Sequence, residues 1–171
     1  MIESSQQWLS PEGVVVTIRP IHASDLELER AFVNQLSPQS AYQRLFSPRS
    51  LTELELKRFT DIDYERDMAV IATILESEAE RQIGVARYIR YPDTHNAEFA
   101  IVLSDDWQGR GLGSTLLQRL MAIAKSNGIV RLDGAVLSEN APMIALAKKL
   151  GFAVHRDPRG AQVTLLAMVL N

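Results

Sequence analysis

Apolar runs and amphipathic stretches alternate along the chain, in an order typical of a mixed sheet with helices on both faces. Seven apolar runs predict strands, at residues 14–19, 68–75, 82–90, 98–103, 130–136, 153–155 and 162–170. Short turns join the second, third and fourth of these runs, which predicts an antiparallel meander. The acidic segment 76–80 is then the tip of a hairpin.

Helices are predicted where apolar residues recur at three- and four-residue spacing between the strands. Ser24 or Asp25 suits the N-cap of the first helix, and Asn127-Gly128 suits the end of the third. The first predicted helix runs from its N-cap to about Leu36. A second helical region breaks at residues 47–49 and resumes over 51–59. The third and fourth helices cover residues 112–126 and 141–150.

Length and composition predict one domain, because 171 residues of which 46% are hydrophobic supply a single core. We expect residues 13–171 to form this domain and residues 1–12 to form a polar, loosely held N-terminal extension. The chain has no cysteine, which excludes disulfides, a thiol nucleophile and cysteine-based zinc sites.

Charge and hydropathy also exclude several partners. The start of the chain is unlike a signal peptide and no apolar run approaches the ~18 residues of a membrane span, so we expect a cytoplasmic protein without a membrane partner. The net charge of −3 does not favour nucleic acid as a partner. His22, His95 and His155 lack metal-ligand spacing, so no metal is expected.

A glycine-rich stretch joins the predicted strand 98–103 to a helix. Its glycines let the main chain approach a bulky ligand, and the first N–H groups of the helix can hold a phosphate. A dinucleotide-binding fingerprint needs glycine where Ser114 stands, and a nucleotide P-loop needs lysine after Gly113. Plain turn chemistry and a pyrophosphate site both remain open. The residues of this stretch are Gln108, Gly109, Arg110, Gly111, Leu112, Gly113 and Ser114.

The pattern Gln108-x-x-Gly111-x-Gly113 resembles the acyl-CoA pyrophosphate loop of the GNAT superfamily of N-acetyltransferases. Residues 138–152 resemble the later GNAT motif, in which Asn140 opens a helix that closes on Leu-Gly-Phe. The resemblance implies the GNAT fold, an α/β (α+β) architecture. Its sheet is mixed and mostly antiparallel, has about six to seven strands, is flanked by helices, and is splayed between strands 4 and 5.

The resemblance also implies how acetyl-CoA binds as cosubstrate. The pantetheine arm enters the gap between the splayed strands, where it faces the main-chain groups of Ile101, Val102 and Leu103. The N–H of Val102 is expected to hold the thioester carbonyl oxygen, which carries charge during acyl transfer. The glycine stretch and Asn140 complete the expected coenzyme site.

Acyl transfer to an amine requires a proton acceptor, because a lysine ammonium of pKa about 10.4 contains little free amine at neutral pH. Glu98 opens the strand that faces the thioester, so it is a candidate base, directly or through a water. A glutamate at the start of a strand can also be an ordinary surface residue.

A wider set of segments resembles the acetyltransferase domain of bacterial protein lysine acetyltransferases: residues 18–20, 36–48, 60–64, 97–99 and 106–111. Those enzymes use a glutamate at the position of Glu98 as general base. They acetylate lysines of metabolic enzymes, including acyl-CoA synthetases. Their domain is often fused to a nucleotide-sensing or synthetase-like region, whereas we expect it to stand alone here.

The sequence departs from the family at Ala147, where many GNAT enzymes carry a tyrosine that protonates the leaving thiolate. The general acid is therefore unassigned, and the sequence does not place Tyr64, Tyr88 or Tyr91 near the reaction. Three functions stay open: a protein lysine acetyltransferase, an acetyltransferase for a small amine, and an inactive acyl-CoA sensor. The sequence does not determine the oligomeric state.

Overall fold

A computed structural model describes residues 5–38 and 51–171. The described residues form one eight-stranded sheet of β1 (Gln6–Leu9), β2 (Val15–Pro20), β3 (Met68–Glu76), β4 (Ala79–Arg90), β5 (Asn96–Leu103), β6 (Arg131–Leu137), β7 (Ala153–Arg156) and β8 (Val163–Val169). The α-helices described are α1 (Leu26–Gln35), α2 (Glu53–Thr60), α3 (Leu112–Ser126) and α4 (Ala141–Lys149). The predicted helix break at residues 47–49 lies outside the described residues.

The strand order is β1-β2-β3-β4-β5-β6-β8-β7. Neighbouring strands are antiparallel except β5 and β6, which are parallel. This is the GNAT fold that the sequence predicted, and the meander through β3, β4 and β5 is confirmed. The hairpin tip between β3 and β4 holds Ser77 and Glu78 at positive φ, as a tight turn requires.

Strand β1 is the main difference from the prediction. Residues 6–9 were expected to be part of a loosely held extension, and this is wrong, because they pair with β2 from Gln6↔Ile18 to Leu9↔Val15. The segment has no apolar run from which a strand could be predicted. Its order comes from long-range contacts, since the side chain of Trp8 packs against the main core cluster.

Alternation along the inner strands divides the core between the two faces of the sheet. Val70 and Ala72 of β3 belong to the larger cluster, which packs under the buried leucines of α3. Ala69 and Ile71 point to the other face, where they meet Phe32 of α1. No helix in the described part of the chain is long and apolar enough to cross a bilayer.

Strands β5 and β6 pair only at their beginnings. The parallel register covers Asn96↔Arg131 to Glu98↔Asp133, while β5 continues to Leu103 and β6 to Leu137 without further pairing to each other. The sheet is therefore splayed after Glu98, between the two strands that the sequence numbered 4 and 5.

Candidate active site

A cleft of about 540 Å³ lies where β5 and β6 separate. The sheet, the turn before α3 and one side of α4 supply its walls. Because these elements meet at the splay, residues from distant parts of the chain come together there. The predicted site residues that line the cleft are Glu98, Ile101, Val102, Leu103, Gln108, Gly109, Gly111, Gly113, Ser114 and Asn140.

The glycine turn presents the first N–H groups of α3 to this cleft. Gly109 and Gly111 have φ of 74° and 92°, a left-handed conformation that favours glycine. The first helical bond runs from Thr115 N to Gly111 O at 3.3 Å. The N–H groups of the three residues before Thr115 consequently have no acceptor within the helix, and such groups at a helix N-terminus can bind an anion.

Close packing of α3 against α4 shapes the same end of the cleft. A Cβ on Gly113 would lie 3.3 Å from Cδ2 of Leu146, so a larger residue would require the Leu146 side chain to shift by a few tenths of an ångström. Asn140 caps α4, since its Oδ1 accepts the N–H of Met143 at 3.3 Å. The capping role predicted for Asn140 is confirmed.

Two residues of the predicted coenzyme site do not line the cleft with their side chains. Leu112 is fully buried in the core. The guanidinium of Arg110 lies over the ring of Trp107 at 3.8 Å and donates to Asp106 O at 3.1 Å. Any contact of Leu112 or Arg110 with a ligand in this cleft is therefore made by the main chain.

The hydrogen-bond register decides which main-chain groups of β5 face the gap. In an antiparallel pair, alternate residues bond to the neighbouring strand and the residues between them point away. Ser104 N donates to Ile83 O at 2.8 Å and Tyr91 N donates to Asn96 O at 3.0 Å. The β4–β5 register runs between these pairs without a shift. Even-numbered residues of β5 thus bond to β4, and odd-numbered residues face β6.

This register contradicts the expected role of the Val102 N–H. That group points toward β4, although Val102 is one of the residues that line the cleft. The N–H groups of Ile101 and Leu103 face the gap instead. On the same side, Leu103 O accepts Nε2 of Gln108 at 3.2 Å. The predicted strand segment lines the cleft, but the sequence could not set its hydrogen-bonding direction.

Glu98 lies at the point where the two strands separate. It pairs with Ile89 of β4 on one side and with Asp133 of β6 on the other, and its side chain is exposed. The carboxylate of Asp133 is engaged by Nε of Arg131 at 2.7 Å. Ile89 is 52% exposed, so the cleft opens to solvent beside Glu98.

Arg87 is a cleft residue that the sequence analysis missed. Its guanidinium lies 4.6 Å from the ring centre of Phe59 and donates to Phe59 O at 3.2 Å. Its Nη2 is also 3.9 Å from Oε1 of Glu29, a fully buried carboxylate that Gln82 contacts at 2.9 Å. The available signal was one charged residue inside the apolar run 83–89.

None of the tyrosines in the described part of the chain lines the cleft. The Tyr64 hydroxyl donates to Ile21 O, and burial raises the pKa of Tyr64 to about 12. The Tyr88 hydroxyl accepts a bond from Asn127 inside the core. Burial raises the pKa of Tyr91, and the carboxylate of Glu98 adds to this rise. The general acid therefore stays unassigned.

The splayed sheet and its glycine turn are those of the N-acetyltransferase class that the sequence resembles. Residues 37–152 match the model of the Acetyltransferase (GNAT) family. The chain accordingly belongs to the GNAT acetyltransferases, enzymes that take an acetyl group from acetyl-CoA.

Individual relatives agree with this assignment. The chain is 34% identical over 148 residues to Acetyltransferase PA5475 of Pseudomonas aeruginosa, covering 86% of this chain and 80% of the relative. It is 31% identical over 150 residues to Acetyltransferase Pat of Mycolicibacterium smegmatis, covering 86% of this chain but 44% of that relative. The crystal structure of the GNAT domain of S. lividans PAT superposes with a TM-score of 0.87, at 30% identity and 97% coverage of both chains.

Proposed function

We propose that the protein transfers the acetyl group of acetyl-CoA to the side-chain amine of a lysine on a protein. The observation that carries this proposal is the cleft at the splay, which brings together the helix terminus of α3, the edge of β5 that β6 leaves after Glu98, and the exposed Glu98 itself. In this proposal the coenzyme pyrophosphate lies on the α3 terminus. Its thioester then lies along β5, within reach of an amine that enters beside Glu98.

In this arrangement the deprotonation of the acceptor and the attack on the thioester each have a residue that assists them. The Glu98 carboxylate accepts a proton from the ammonium of the acceptor, and the free amine attacks the thioester carbon. An N–H group of Ile101 or Leu103 stabilises the negative charge on the carbonyl oxygen. The carbon–sulfur bond then breaks, and CoA leaves as a thiolate. The amide nitrogen loses its second proton to the departing thiolate or to solvent. Because a thiol has a modest pKa, departure does not require a protein acid.

The acceptor side of the cleft favours a lysine side chain over a free amino acid. Ile89 and Phe59 offer apolar surface for the methylene groups of lysine. A free amino acid would instead need a cation for its carboxylate. The cation that lines this part of the cleft is Arg87, whose guanidinium is already held by Phe59 and Glu29. The resemblance to bacterial protein lysine acetyltransferases supports the same acceptor.

The test is mass spectrometry of a bacterial lysate incubated with isotopically labelled acetyl-CoA and the protein. We expect labelled acetyl-lysine on a limited set of proteins, and no label above background with Glu98→Gln. A purified acyl-CoA synthetase and a panel of free amines are assayed in parallel. Higher kcat/KM on a free amine than on any protein would identify a small-amine acetyltransferase. CoA binding without turnover of any acceptor would identify a sensor.

Lys149 provides a separate test of where the coenzyme lies. It lines the cleft one turn beyond Leu146, whereas its neighbour Lys148 does not. Because an exposed ion pair contributes up to about 1 kcal/mol, Lys149→Gln should raise the Kd for CoA about two- to fivefold. Lys148→Gln is the matched control and should leave the Kd unchanged.

Isothermal titration calorimetry at low and high salt measures the effect of Lys149. Repeating the titration with dephospho-CoA shows whether the ammonium pairs with the 3′-phosphate or the pyrophosphate, because only the first contact is lost with that ligand. If Lys149→Gln and Lys148→Gln bind CoA equally well and also bind dephospho-CoA equally well, the phosphates do not lie near Lys149.

A further inference from the structure

The outer side of the glycine turn is held by the N-terminal segment of the chain. Oε1 of Glu12 lies 2.5 Å from Nε of Arg110, the residue between the two left-handed glycines. The same guanidinium stacks on Trp107 and donates to Asp106 O. The hydrogen bond from Arg110 lowers the pKa of the Glu12 carboxyl.

A second contact reaches the turn from β1. A Cβ on Gly111 would lie 3.6 Å from Cζ2 of Trp8, so the indole ring lies beside Gly111, the N-cap residue before α3. Trp8 is itself anchored, because it pairs with Val16 of β2. The turn is therefore bordered by Trp8 at Gly111 and held by Glu12 through the Arg110 side chain.

Asp106 ties the same turn to the sheet from another direction. Its Oδ1 accepts Nη2 of Arg81 on β4 at 3.1 Å. The segment 106–110 is therefore held at both ends, at Arg110 by Glu12 and at Asp106 by Arg81. The two residues that hold it come from distant parts of the chain. Both ties lie outside the cleft, and Trp8, Glu12, Arg81 and Arg110 are absent from its lining.

We propose that Glu12 and Trp8 are positioning residues for the coenzyme, acting through Arg110 and Gly111. Glycines at positive φ lose much conformational freedom when they are ordered. A turn held in its binding shape before the ligand arrives loses less freedom on binding, which increases affinity. This positioning role rests on the proposed function in one respect, which is that CoA is the ligand of the glycine turn.

The test is the affinity of the full chain for CoA, measured by isothermal titration calorimetry without any acceptor. Glu12→Gln keeps the shape of the side chain and removes its charge. It should raise the Kd about fivefold, the low end of coupling between sites. Glu78→Gln, an exposed glutamate at the β3–β4 hairpin tip, is the control and should leave the Kd unchanged. Trp8→Ala should raise the Kd for CoA by a similar factor. If Trp8→Ala does not fold, Trp8→Phe is measured in its place.

Two further readouts separate positioning from general damage. The thermal midpoint of Glu12→Gln should stay close to that of the native chain, because an exposed pair contributes little to stability. With S-acetyl-pantetheine, which has no pyrophosphate, the variant and the native chain should have the same KM and kcat. Equal CoA affinity of Glu12→Gln and the native chain would overturn the positioning role. No CoA binding by the native chain would instead overturn the proposed function.

Discussion

Replacing Glu98 by Gln is expected to lower kcat about 100- to 10,000-fold, the usual contribution of a general base. The carboxamide has the size of the carboxylate but cannot accept the proton of the attacking ammonium. Because the proposed function places Glu98 beside the acceptor amine and not beside the coenzyme, the Kd for CoA should stay close to the native value. Initial rates of thiol release measure kcat, and calorimetry measures the Kd.

Asp133→Asn is the matched control for this variant. Asp133 stands beside Glu98 in the β5–β6 register, but its carboxylate is engaged by Arg131. It should retain most of the native kcat. Raising the pH toward 10 should partly restore Glu98→Gln, since the free fraction of a lysine amine increases toward its pKa of about 10.4. Native kcat in Glu98→Gln at neutral pH would show that another group removes the proton.

Replacing Gly134 by Ala is expected to lower the free energy of unfolding by about 1–3 kcal/mol, the usual cost of overpacking. A Cβ at Gly134 would lie 2.5 Å from Cε1 of Phe99, inside the contact distance of the two atoms. The Phe99 ring cannot move away easily, because it packs on Phe152 with ring centres 5.1 Å apart. At 2–4 °C per kcal/mol for a chain of this size, thermal unfolding should show a clear drop in the midpoint.

Gly160→Ala is the control, since a Cβ at Gly160 would meet no heavy atom within 4 Å. Its midpoint should match that of the native chain. Gly134 and Phe99 both line the cleft, so Gly134→Ala should also weaken CoA binding. An unchanged midpoint would mean that β6 can shift relative to β5 at little cost, and that the splay is not held by this contact.

Features that depend on nearby residues were predictable from the sequence. The strands of the meander follow from apolar runs, and the end of α3 follows from Gly128, whose φ is 81°. Asn140 caps α4 through a hydrogen bond to Met143, which is only three residues further along the chain. The glycine turn could be placed at the site for the same reason, because its left-handed residues and the helix start are adjacent in the chain.

Features that depend on distant residues were not predictable. Strand β1 has no apolar run, and it is ordered by pairing with β2 and by the packing of Trp8. The place of Arg87 beside the cleft depends on Phe59 and on the buried Glu29. Sequence patterns indicate the faces and ends of single helices and strands. They do not show which distant residues will pack against those elements in the folded protein.

The sequence by itself determined the GNAT fold, the splayed strands and the segment that begins α3, because each has a local or motif-level signal. Only the tertiary structure decided which N–H groups of β5 face the gap, since that direction depends on the register with β4. It also decided that Arg110 turns away from the cleft to meet Glu12, 98 residues earlier in the chain. A side chain's direction is set by the partners that folding brings to it, and those partners are remote in sequence.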